Sequence, residues 1–414
     1  MNAKQLLSRA FGVFFVKVIF VGLGFLSTLI LARLYTTKEL GFYFWLLSCI
    51  TFLCVAMRFG QENTLIKQAA NSSTCKQKSA VTSQALFIVC RVTLAVAVGM
   101  LLVTFFFQET LSVNLVMLVN AFMFSIISII GYCMQAAGQS VMQQLLLNTP
   151  RLLCAGLAIA FFLVFKYLAP LQTMLTAAFF ISFIFTLALF YFKGFVIKYA
   201  PFKLLTNPSE TKHYLLISCS AVLMAEGAMV ILGMLGSKFD TAHFGVATRL
   251  VSLVAFVLLA FNSIVTPQFA QLYKQNKHKE LVKRYQSARQ QSIFISMSIA
   301  LVFWWSADFL LGLFGTEYVQ ASGVMLVLLL TQLTKVFVGS AGQLLMMSDL
   351  VHLQKRCIVA GVLVMILGCC IFIPQYGALG AAISTFIGVA INNFLALFYA
   401  NRYLSIPLGL ASPQ

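Results

Sequence analysis

Long apolar runs alternate with short polar turns along the whole chain. An α-helix rises 1.5 Å per residue, so about 20 apolar residues cross a hydrocarbon core of about 30 Å. Runs of that size lie near 11–32, 40–57, 82–107, 111–136, 149–168 and 171–192, then near 214–236, 243–266, 292–314, 320–345, 355–374 and 377–400. The pattern therefore predicts an all-α polytopic membrane protein with about twelve transmembrane helices. Pro150, Pro170, Pro201, Pro208, Pro267 and Pro374 fall at the ends of these runs or outside them, so breaks inside a helix are expected only at glycines such as Gly22, Gly24 or Gly227. Turns such as PQYG, Pro374 to Gly377, leave no room for an outer domain.

The richest window runs from Leu216 to Arg289. An apolar helix interrupted by Glu226 is followed by the polar turn SKFDTAHFG and a second apolar run, Val246 to Val265. After Pro267 comes QFAQLYKQNKHKELVKRYQSARQ, where Phe269, Leu272, Leu281, Val282 and Tyr285 recur at helical spacing among lysines. That spacing predicts an amphipathic helix lying on anionic lipid.

Composition fixes the class. Of 414 residues, 61% are hydrophobic and 9% charged, with a mean hydropathy of +0.96. A soluble domain carries about 25% charged residues. The net charge of +18 would suit nucleic acid, but its distribution points to topology instead. With a cytoplasmic N-terminus, inner segments hold about 20 Lys and Arg and outer segments about five, which places both termini in the cytoplasm. No nucleic-acid partner is expected. Lys4 and Arg9 precede a first run too long for a signal-peptide core, so that run reads as the first transmembrane helix. The cysteines sit almost entirely in apolar runs and the histidines are scattered, so neither a disulfide framework nor a metal site is expected.

A weak internal repeat divides the chain. LILARLYTTKELGFYF leaves the first helix and VILGMLGSKFDTAHFGVA the seventh, each an aliphatic helix end, a charged turn and a Gly-containing helix start. Two six-helix lobes follow, 1–193 and 213–414, joined by a basic cytoplasmic linker at 194–212. Parallel repeats of this kind are a transporter architecture.

Ionisable residues inside a span cost a few kcal/mol and normally face a cavity or a partner. Lys17, Arg91, Glu226 and Lys335 lie well inside their runs; Arg249 and Asp308 lie nearer the outer edge. Lys17, Arg91 and Lys335 come from different helices, yet all fall roughly 9–15 Å from the inner edge. Two readings are open: snorkelling to the headgroups, or a cationic inward-facing cavity that suits a phosphate-bearing substrate. Lys17 shares a helix face with Gly24 and with Ser27 or Thr28. Glu226 reads either as half of a structural ion pair or as a protonation or cation site coupling transport to an ion gradient. Gln332, Gln343, Asn392 and Asn393 suit sugar hydroxyls or helix–helix contacts.

FLSTLILARLYTTKELGFYFWL in helices 1–2 resembles the start of the bacterial Wzx-type polysaccharide flippases. VILGMLGSKFDTAHFGVATRLVSLVAF resembles their middle, and LFGTEYVQASGVMLVLLLTQLTKVFVGSAGQLLMMSD with IPQYGALGAAISTFIGVAINN resembles their C-terminal part. The resemblance implies the multidrug/oligosaccharidyl-lipid/polysaccharide (MOP) exporter fold. It also implies flipping of an undecaprenyl-diphosphate-linked oligosaccharide, such as an O-antigen repeat unit, across the bacterial inner membrane. A cationic cavity is implied, for which Lys17, Arg91, Arg249 and Lys335 are the candidates by position, with Glu226 as the ion-coupling residue. No cofactor is implied beyond a proton or sodium gradient. The implied partners are the lipid-linked substrate, membrane lipids and the polysaccharide polymerase and chain-length machinery.

Two rivals remain. A cation-coupled drug or metabolite exporter of the same fold would want cavity acids, whereas here the intramembrane cations outnumber Glu226 and Asp308. A membrane glycosyltransferase or polymerase would want paired carboxylates or a large outer loop. No Gly-rich phosphate loop is present to support ATP-driven transport.

Overall fold

The computed structural model describes residues 3–71, 74–107, 111–197, 208–275, 277–348 and 350–404. Among the described residues the regular structure is helical throughout, with no strand. The helices are α1 (Ala3–Leu34), α2 (Thr37–Arg58), α3 (Gln61–Asn71), α4 (Cys75–Phe107), α5 (Leu111–Ala136), α6 (Ser140–Phe165) and α7 (Leu171–Phe192). They continue as α8 (Pro208–Leu235), α9 (Lys238–Lys274), α10 (His278–Trp305), α11 (Ala307–Gly312), α12 (Ser322–Val338), α13 (Ala341–Met347) and α14 (Val351–Leu404), with a 3-10 turn at Thr316–Ala321. Among the described residues, nine helices are long and apolar enough to cross a membrane. The expected spans 355–374 and 377–400 both lie in α14, which Gly377 interrupts with non-helical torsions. Large apolar side chains such as Leu94 and Leu367 are exposed, as lipid-facing positions of a multi-pass membrane protein are.

Several expectations need correction. Pro150 lies inside α6, which begins at Ser140, and α9 runs through position 267. Prolines therefore do not mark every helix end here. The run expected at 292–314 stops at Trp305 and restarts as α11, and the run expected at 320–345 breaks at Gly339 between α12 and α13. Most of the expected linker, 198–207, lies outside the described residues.

The basic segment after position 267 is not a separate surface helix. It is shared between the end of α9 and the start of α10, and its apolar residues turn inward. Phe269, Leu281 and Tyr285 are fully buried in a cluster with Val338, Leu344, Cys357 and Leu397. Burial of an aromatic or Leu side chain contributes about 1.5–3 kcal/mol, so this face is anchored on protein. α3, which no apolar run announces, is held in the same way. Leu65 packs among Ala85, Leu86, Ile127 and Ile130 of α4 and α5.

Contacts divide the chain into two compact units, Met1–Tyr35 with Leu46–Val222, and Thr36–Trp45 with Leu223–Gln414. α2 and α8 therefore each contribute to both. In the first unit α1 packs on α6, and α5 on α4, α6 and α7. In the second, α12 packs on α9, α10 and α14, and α13 on α14.

Candidate functional site

The first unit contains Lys17 and Arg91. Lys17 on α1 is half-buried, and Arg91 on α4 is exposed. Lys17 lies on the face of α1 that carries Thr28, whose hydroxyl donates to the Gly24 carbonyl at 2.9 Å. The neighbouring Ser27 hydroxyl donates to the Arg151 carbonyl of α6 at 3.4 Å. The small and polar flank expected beside Lys17 is therefore engaged in helix contacts at its C-terminal end.

A buried charge pair in this unit escapes a hydropathy reading. Arg58 ends α2 and Glu62 opens α3, and each is 7% exposed. Their side chains approach to 3.4 Å across a turn in which Phe59 and Gly60 both take positive φ. Arg58 also donates to the Tyr132 hydroxyl of α5 at 2.9 Å, with the guanidinium 5.3 Å from the ring centroid. The Ser218 hydroxyl of α8 donates to Glu62. Four helices thus meet at one ion pair. The sequence carried a signal in RFGQE, a cation and an anion four apart with Gly between them; such a spacing usually reads as a solvated helix end.

The second unit contains Glu226 on α8, Arg249 on α9 and Lys335 on α12, all half-buried. The Arg249 guanidinium stands 5.9 Å from the Phe44 ring centroid, a distance at which the ring quadrupole attracts a cation. Beside Glu226, Gly227 lets α8 approach Met365 of α14. Lys335 lies in the last turn of α12, where its carbonyl accepts the Gly339 amide at 2.9 Å. Beyond Gly339 the helix breaks, and the carbonyls it frees are taken up by neighbours. Tyr285 donates to Val338 and the buried Arg289 donates to Phe337. Burial pushes the Tyr285 phenol up to about 12, so it remains a donor. Asp308 is exposed in the first turn of α11, beyond the end of α10. Of the amides, Asn393 donates to the Val389 carbonyl of its own helix at 2.8 Å.

The two repeated turns share one chemistry. At the start of α2 the Glu39 amide donates to the Thr36 hydroxyl oxygen at 3.4 Å, and the Thr36 amide donates to the Glu39 carboxylate at 3.2 Å. At the start of α9 the Asp240 amide donates to the Ser237 hydroxyl oxygen at 3.1 Å, and the Ser237 amide donates to Asp240 at 3.2 Å. Both are capping boxes. The lysines next to them are exchanged: Lys38 lies 5.3 Å from the Phe239 centroid, and Lys238 5.3 Å from that of Phe42.

No family model matches the sequence, and no curated protein matches it. Solved structures match in fold. The lipid II flippase MurJ, in an inward closed conformation, matches 94% of this chain over 87% of its own, with a TM-score of 0.69 at 11% identity. An inward-facing multidrug resistance MATE family transporter of the MOP superfamily matches 98% of this chain over 95% of its own, at 0.66 and 14% identity. A MOP superfamily transporter from Pyrococcus furiosus, with a binding pocket of reverse polarity, gives 0.65 at 13% identity, over 98% and 96% of the two chains.

The chain has the fold of MurJ and the MATE transporters. The first of these neighbours is a flippase and the other two are transporters of the MOP superfamily. At such identities the likeness concerns the fold, and the MOP fold alone does not choose between a lipid-linked and a drug substrate.

Proposed function

We propose that this chain is a Wzx-type flippase. It moves an undecaprenyl-diphosphate-linked oligosaccharide, an O-antigen or similar polysaccharide repeat unit, from the cytoplasmic to the periplasmic leaflet of the bacterial inner membrane. In this reading twelve transmembrane helices form two six-helix lobes with both termini in the cytoplasm, and the lobes alternate access under a proton or sodium gradient. The product passes to polysaccharide polymerase and chain-length machinery.

The observation that carries the reading is the sign of the charge within the apolar runs. Lys17, Arg91, Arg249 and Lys335 outnumber the acids Glu226 and Asp308, on a fold shared with a lipid II flippase. A diphosphate is dianionic or more, and a cation held near a low-dielectric region attracts it far more strongly than in water. The four cations bind the diphosphate in turn, while amides such as Gln332, Gln343 and Asn392 meet the glycan. The polyprenyl tail stays in lipid. Glu226 exchanges the coupling ion, since an acid within an apolar run normally faces a cavity or a partner.

The likeness to MATE transporters favours a second reading, a cation-coupled drug or metabolite exporter. Proteoliposomes containing a fluorescent undecaprenyl-diphosphate oligosaccharide separate the two, with and without an imposed proton or sodium gradient. Gradient-dependent movement of the lipid across the bilayer supports the flippase. No lipid movement, together with gradient-driven efflux of an organic cation, establishes the exporter.

A further inference from the structure

The end of α9 and the start of α10 flank an open cleft of about 500 Å³. Its walls carry three amides from α9 and the turn after it, Gln268, Gln271 and Gln275, and three cations, Lys277, Lys283 and Arg284. The one carboxylate on the wall, Glu280, is engaged by Lys277 at 3.4 Å. Arg284 is oriented by donating through Nε to the Gln268 side chain, which leaves the outer edge of the guanidinium for a ligand. The helix segments that carry these residues are anchored on the protein, because Phe269, Leu281 and Tyr285 on the same segments are fully buried. α10 also begins with no side-chain cap from Lys277, so its first amides add donors at the same end.

One face of α10 continues from this cleft. Lys283, Gln290, Phe294, Ser298, Leu301 and Trp305 fall within a narrow arc of the helix, and all are exposed. Phe294 is 76% exposed, Leu301 64% and Trp305 93%. From Lys283 to Trp305 the stripe is about 33 Å long, close to the thickness of a hydrocarbon core. It is cationic and polar at one end, apolar in the middle, and ends at the residue type that favours the opposite membrane interface. A soluble anion would use the cleft and leave the stripe bare. A phospholipid uses both.

We infer that the α9–α10 cleft is a binding site for the headgroup of an anionic glycerophospholipid, whose acyl chain lies along the Phe294–Leu301 face of α10. The phosphate sits against Lys283 and Arg284, and the glutamines hydrogen-bond the glycerol or headgroup hydroxyls. Basic pockets at the cytoplasmic ends of transmembrane helices recognise lipid headgroups in this way. The site is separate from the residues assigned to the transported substrate, and it stands whichever substrate is carried.

Native mass spectrometry of the full chain in detergent tests it, with phosphatidylglycerol and phosphatidylcholine of identical acyl chains. Phosphatidylglycerol is expected to bind in preference. Lys283→Gln should weaken that preference about fivefold, and Lys283→Gln with Arg284→Gln about thirtyfold, on the scale of one surface cation per step. Lys193→Gln, which removes an exposed cation of the first unit, should leave it unchanged. Because Arg284 also holds Gln268, the single Lys283 variant is the cleaner reading should the double variant fold poorly. Equal binding of the two lipids by the unaltered chain overturns the site, as does full phosphatidylglycerol preference in the Lys283 variant. Displacement of the lipid by millimolar inorganic phosphate overturns it too, because the apolar face would then contribute nothing.

Discussion

The carboxylate of Asp240 fills the space that a side chain at Gly377 would occupy, and its Oδ1 accepts the Ala378 amide at 3.0 Å. Gly377 takes a φ of +54° there, so α14 can break and leave an amide pointing at α9. Asp240 is thus both the third residue of a capping box and the partner of a broken helix. Asp240→Ala removes both functions. A lost cap costs about 1 kcal/mol and an unpaired buried amide about 1–3 more. Asp240→Asn keeps an acceptor oxygen and should lose less than half of that. Melting of the purified variants in detergent ranks them, and equal melting of the two would deny Asp240 the second function.

Arg58 and Glu62 form the most buried charge pair described in the first unit. Removing one partner of such a pair leaves the other charge buried and costs about 3–5 kcal/mol, whereas replacing both by apolar residues is often close to neutral. Arg58→Met is therefore expected to melt well below the unaltered chain, and Arg58→Met with Glu62→Leu to recover most of the loss. A double variant no better than the single would mean that the contacts to Tyr132 and Ser218, rather than the pair, hold this junction.

Apolar runs, which report burial in lipid, located the long helices in the sequence. Polar helices were illegible by that criterion. α3 and the first turns of α6 and α10 are fixed by tertiary packing of a few residues such as Leu65, Leu146 and Leu281. The lysine-rich appearance of the α9–α10 segment suggested a surface helix because spacing alone cannot tell whether Phe269 and Tyr285 meet lipid or protein. Lys17, Arg91, Glu226, Arg249 and Lys335 were visible as charges in apolar runs. Arg58 was not, since a cation at the end of a run looks the same whether it faces cytoplasm or a buried Glu62.

Gly339 joins α12 to α13 with φ +74° and ψ −151°, and a Cβ there would stand 3.1 Å from Arg289 Cγ. Gly339→Ala combines an unfavourable torsion with a tight contact, and a loss of about 1–3 kcal/mol is expected. Tyr285→Phe removes the donor to Val338 and should cost about 1–2 kcal/mol by leaving a buried carbonyl unpaired. If the break exists to serve transport, both variants should also slow flipping at temperatures where they remain folded. Slowed flipping in folded protein separates this from a purely structural junction.

The assignment of the cations makes the sharpest functional demand. Arg91 and Lys335 stand on different helices of different units, so nothing local makes one substitute for the other. If both contact the diphosphate, Arg91→Ala and Lys335→Ala should each abolish flipping while membrane insertion and melting stay near those of the unaltered chain. Charge is the property required, so Arg91→Lys and Lys335→Arg should keep measurable transport. Full activity in both alanine variants would sink the cationic-cavity reading and leave these side chains to the headgroups. Glu226→Gln tests the other half of the mechanism. It removes the exchangeable proton but preserves shape, so flipping should persist and lose its response to an imposed gradient. An unchanged response to uncouplers would make Glu226 a structural residue, with the coupling ion bound by some other group.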